Sequence, residues 1–141
     1  MITGVYPTEQ EVIEIDGVRF FWSLLPPKIH RSIQNRLVQF ANMTQEEVMK
    51  SGKMDEMLEC FEDVVAFSVK AHTGLRDHKG ELIPFKECKR MFRNEPYQSV
   101  DLEVLKVYYY SGIIEQLASK ILEKSNLSGQ DAKNSNALSA S

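Results

Sequence analysis

The chain has 141 residues, 43% hydrophobic and 26% charged, which bounds it to one domain of ordinary size with a modest core. Its 17 basic and 20 acidic residues are spread along the sequence to a net charge of -3, so no stripe of positive field awaits a phosphate backbone, and nucleic acid is not expected as a main partner. No apolar run approaches the roughly 20 residues needed to cross a bilayer, and the start, MITGVYPTEQ, lacks a basic region followed by an apolar one; a soluble intracellular protein without membrane contact is expected.

In chain order, EVIEIDGVRFFWSL sets two β-prone runs about Asp16-Gly17, the turn chemistry of a two-residue hairpin in which both central positions need positive φ. Strands are expected near 11–15 and 18–24, with an apolar side drawn from Ile13, Ile15, Phe20 and Trp22 that must pack on helices. Pro26-Pro27 stops the second strand and suits a helix start, and Ile29, Ile33, Leu37 and Phe40 then recur at helical spacing, predicting a first helix near 27–42. Thr44 followed by Glu47 is a capping box and Gly52 a left-handed stop, which predicts a second, short helix at about 45–51. A wide apolar stripe from Met57 through Leu58, Phe61, Val64, Val65, Phe67, Ser68 and Ala71 predicts a central third helix ending near His72.

The segment AHTGLRDHKGELIPFKE brings His72, Asp77 and His78 close in sequence, three ligand types for a metal or a catalytic site. No HxxxH pair or second cluster completes a first shell, and His30 stands far off. The other reading is a turn: Gly74 ends helix three, Asp77 to Gly80 turn tightly, Leu82 and Phe85 dip back into the core, and both histidines are solvated. PFKECKRMFRNEP then places Phe85, Cys88, Met91 and Phe92 on one face and stops at Pro96, predicting a short fourth helix. A long fifth follows in SVDLEVLKVYYYSGIIEQLASKILEKS, capped by Ser99 or Asp101, with Leu105, Tyr108, Ile114, Leu117, Ile121 and Leu122 on the core face and Gly112 allowing close approach or a bend. Beyond Leu127 the residues turn to Ser, Asn and Ala, too polar to offset the cost of ordering.

The fold class expected from these elements is therefore mainly α. It is a helical domain of about five helices over 1–126 with a small N-terminal β-hairpin, followed by a flexible polar tail at 127–141. Cys60 and Cys88 are read as reduced thiols, and no nucleophile elbow, CxxC pair, glycine-rich phosphate loop or HExxH is present, so no enzymatic activity and no cofactor are expected. Successive helical residues point about 100° apart, so Tyr108, Tyr109 and Tyr110 cannot all face one core. These three are the candidate partner-binding anchors, since tyrosine is over-used at such contacts.

The hairpin glycine and aromatic Gly17 and Phe20, the turn Gly74-x-x-Asp77-x-x-Gly80 with Phe85, and Lys133-Asn134 in the tail together resemble the tail assembly chaperones of long-tailed bacteriophages. The resemblance covers about residues 11–135; many members carry a tryptophan beside the first glycine of the turn, where this chain has Leu75. It implies a small, mainly helical protein of the host cytoplasm, absent from the mature virion. Such a protein coats the tape-measure protein, keeps it soluble and helps bring tail-tube subunits to it. It also implies a groove for apolar helices, and a tail sometimes lengthened by frameshifting, for which Ala132-Lys133-Asn134 is a candidate place. Homo-oligomerisation is left open. A virion structural or tail-completion subunit and a small metal-dependent hydrolase are the alternatives.

Overall fold

Residues 10–125 are described by the computed structural model. The expected tail over 127–141, with Lys133 and Asn134, lies outside the described residues. The first hairpin pairs β1 (Glu11–Ile15) with β2 (Val18–Trp22) in the register Ile13 to Phe20 and Ile15 to Val18. Asp16 and Gly17 hold φ of 50° and 81° at its turn, as a type I′ connection requires. Alternation puts Ile13, Ile15, Phe20 and Trp22 on one side, all buried, each worth roughly 1.5–3 kcal/mol removed from water.

Helix α1 (Pro27–Leu37) starts on the expected proline, and a 3-10 turn carries the chain through Phe40. Thr44 Oγ1 accepts from Glu47 N at the start of α2 (Gln45–Ser51), and Gly52 at φ 74° closes it. Helix α3 (Met54–Ser68) is central, with Cys60, Val64, Val65, Ala66, Phe67 and Ser68 buried.

At Ser68 the expectation of a helix reaching His72 is overturned. The chain passes from α3 directly into β3 (Val69–Thr73), which pairs antiparallel with the free side of β2, Phe20 opposite His72, completing a sheet of order β1-β2-β3. Ser23 N donates to Ser68 O at 3.0 Å and prolongs the ladder to the helix end. The physical reason is the unpaired edge of β2: its backbone groups need partners, and β-branched Val69 suits the extended form.

The predicted fourth helix is also replaced by a hairpin, β4 (Glu87–Phe92) against β5 (Glu95–Val100). Phe92 and Tyr97 pack edge-on against Phe67 of α3 at 5.8 and 6.2 Å, so the inward row is Cys88, Arg90 and Phe92 at a period of two. Pro96 sits within β5 opposite Met91 rather than ending a helix.

The long fifth helix is two. Asp101 caps α4 (Leu102–Tyr110) by accepting from Glu103 N, and the chain turns at 111–113 before α5, a helix over 114–125. Gly112 has φ 73° with open space where a Cβ would stand, so it is a helix stop and not a place of close approach. The fold is an α/β mixture of five helices and two antiparallel sheets among the described residues, not a mainly α domain. None of the described helices is long and apolar enough to cross a membrane.

Candidate partner-binding site

The three consecutive tyrosines sit at the end of α4, where Val104, Leu105 and Tyr108 face the core. Tyr108 is fully buried. Its ring meets Phe20 edge-on at 5.4 Å, its hydroxyl lies 2.5 Å from His72 Nδ1, and burial pushes its phenol pKa well up. It cannot touch a partner and belongs to the core instead. Tyr109 and Tyr110 stand outside, 55% and 84% exposed, their rings edge-to-face at 5.2 Å. Leu102, 59% exposed, lies seven residues before Tyr109 and so on the same stripe, with Lys106 between them. The helix stop at Gly112 leaves the tyrosine pair at the blunt end of α4.

Leu102 was not singled out from the sequence. The signal was its spacing: Leu102, Lys106 and Tyr109 share a stripe distinct from that of Val104, Leu105 and Tyr108. Tyrosine pairs offer large, rigid area with a polar rim, and with Leu102 they make an exposed aromatic and aliphatic surface on α4.

His72 is not solvated, contrary to expectation; it is 7% exposed, on β3. Its Nε2 lies 2.7 Å from Ile83 O and its ring packs edge-on with Phe85. A carbonyl only accepts, so in the neutral imidazole Nε2 carries the proton and Nδ1 accepts from the Tyr108 hydroxyl. Both ring nitrogens are thereby committed to holding the 75–85 loop and α4 on the sheet. His78 is exposed.

Asp77 Oδ1 accepts from Lys79 N at 2.9 Å and Glu81 N at 3.0 Å, and Gly80, at φ 83°, closes the turn through Gly80 N to Asp77 O. Leu82 is 60% exposed, so Ile83, not Leu82, accompanies Phe85 inward. Gly74, at φ 84°, would set a Cβ 3.1 Å from Gly17 O, so the two glycine turns touch. Among the described residues no group of three or more His, Cys, Asp or Glu is placed to hold a metal, and Cys60 and Cys88 are free. Comparison of the chain with protein-family models, curated proteins and solved structures finds no match.

Proposed function

We propose that this protein is a tail assembly chaperone of a long-tailed bacteriophage that binds the tape-measure protein, keeps it soluble in the host cytoplasm and helps recruit tail-tube subunits. The observation that carries the reading is the outward face of α4, where Leu102, Tyr109 and Tyr110 present aromatic and aliphatic area to solvent. A long apolar helix needs such anchors along one side. Supporting it, the residues of the family-like motifs have definite local work: Gly17 and Phe20 build the first hairpin, and Gly74, Asp77, Gly80 and Phe85 shape the loop held by His72. The two sheets depart from the mainly helical form that the resemblance implies, so the proposal leans on these motifs and on α4. It involves no enzymatic step and no cofactor.

Co-expression with the tape-measure protein of the same genome tests it. The chaperone should hold that protein in the soluble fraction and co-purify with it, while Tyr109→Ala/Tyr110→Ala should lose co-purification at an unchanged melting temperature. Recovery of the protein from purified virions, or an insoluble tape measure despite co-expression, would count against the reading in favour of a virion subunit or an unrelated role.

A further inference from the structure

A second surface lies away from α4. Helix α1 carries Lys28, Arg31 and Arg36 and no acidic residue, and the stretch 86–95 carries Lys86, Lys89, Arg90 and Arg93 against Glu87 and Glu95. Seven basic residues against two acidic give these two stretches a net +5, in a chain whose total is -3. The fold joins them. Arg93 Nη2 donates to Ser32 Oγ at 3.3 Å, Lys28 pairs with Glu95, and Arg36 and Arg90 grip opposite oxygens of Asp63 at 3.0 and 3.6 Å. Two guanidiniums thus share one carboxylate, and neither Arg31 nor Arg93 has an acidic partner among the described residues.

The backbone at this junction is not the one stability alone selects. The β4–β5 turn needs positive φ at both central residues, which Asn-Gly supplies cheaply, yet Arg93 and Asn94 stand there at 48° and 67°. The Arg93 guanidinium lies over the Phe92 ring at 5.6 Å, while Met91, 62% exposed, is on the opposite face of β4.

We propose that this junction of α1 with the tip of the β4–β5 hairpin docks an acidic segment of a partner protein. Charge complementarity names the occupant. Residues 1–9, with one acidic residue, and 126–141, with one acidic and one basic, are too weakly charged to be that segment. The basic area is short, bounded by Asp55, Glu56, Glu59 and Glu62 of the neighbouring α3, so an extended nucleic-acid backbone would run onto carboxylates whereas an acidic segment of a few residues stays within it.

The test uses the full chain and a fluorescein-labelled hexaglutamate peptide in fluorescence anisotropy, with hexalysine and a single-stranded oligonucleotide as controls. The acidic peptide should bind, and more weakly as salt rises. Arg31→Glu and Arg93→Asn should each weaken it about tenfold, and Arg93→Asn should do so with an equal or higher melting temperature, because asparagine tolerates the left-handed backbone. Absence of salt-sensitive peptide binding, equal binding by the oligonucleotide, or unchanged affinity in both variants would overturn the proposal. So would sedimentation showing a salt-sensitive dimer that both variants dissolve, which would assign the junction to a second copy of this chain.

Discussion

At the scale of single residues, His72 shows how a polar side chain becomes structural. It is buried with both ring nitrogens hydrogen-bonded, so the loop and α4 close on the sheet through one imidazole. Tyr108→Phe leaves Nδ1 buried without a donor and should lower stability by about 1–3 kcal/mol, whereas His78→Ala, on the exposed turn, should stay within about 0.5 kcal/mol; chemical denaturation measures both. The sequence could not separate the two histidines, because both stand among turn residues and only the pairing of β3 with β2 turns His72 inward. Glu62 offers a second test. Burial, then Asp63 and Glu59, raise its carboxyl above the ordinary 4.5, with Arg90 opposing. The folded state therefore binds the proton more tightly, and its contribution to stability is present below the unfolded value and lost as pH rises through the folded one. Glu62→Gln should raise stability at pH 7 by no more than about 0.5 kcal/mol for so solvated a group, seen as a slightly higher melting temperature, and the gain should vanish near pH 4.

At the scale of elements, the first hairpin and the caps of α2 were legible because each carries a local signature: Asp16-Gly17, Thr44 with Glu47, and Gly52. The second hairpin was not. Its inward row is Cys88, Arg90 and Phe92, and Arg90 reads as a surface residue although its guanidinium lies over the Phe67 ring at 5.5 Å and reaches Asp63. With that row disguised, Phe85, Cys88, Met91 and Phe92 imitated a helical face, and Arg93-Asn94 lacked the glycine that announces a turn. The passage from α3 to β3 was hidden for a related reason, since no glycine or proline marks it. The contact between the Gly74 and Gly17 turns predicts unequal tolerance. Gly17→Ala meets only the backbone penalty, about 1 kcal/mol, while Gly74→Ala also drives a Cβ against the Gly17 carbonyl and should cost more, as paired melting curves would show.

At the scale of the whole molecule, Phe67 ties the two sheets to one core. It is 1% exposed, lies one residue before the end of α3, and takes Phe92, Tyr97 and Arg90 around its ring. Phe67→Ala should cost about 3–5 kcal/mol, and proteolysis of the variant should begin in the β4–β5 hairpin; initial cleavage elsewhere would show that the hairpin holds to the domain by other means.

The order β1-β2-β3 also sets a schedule for synthesis. The first hairpin leaves the ribosome with Ile13, Ile15, Phe20 and Trp22 along one side, but the strand that completes its sheet lies beyond Ser23–Ser68, a stretch of 46 residues. At about 5–20 residues per second that stretch takes roughly two to nine seconds to translate. For that interval the nascent chain carries a sticky, half-finished sheet, so crowded polysomes are where this protein is most exposed to misassembly with its own copies.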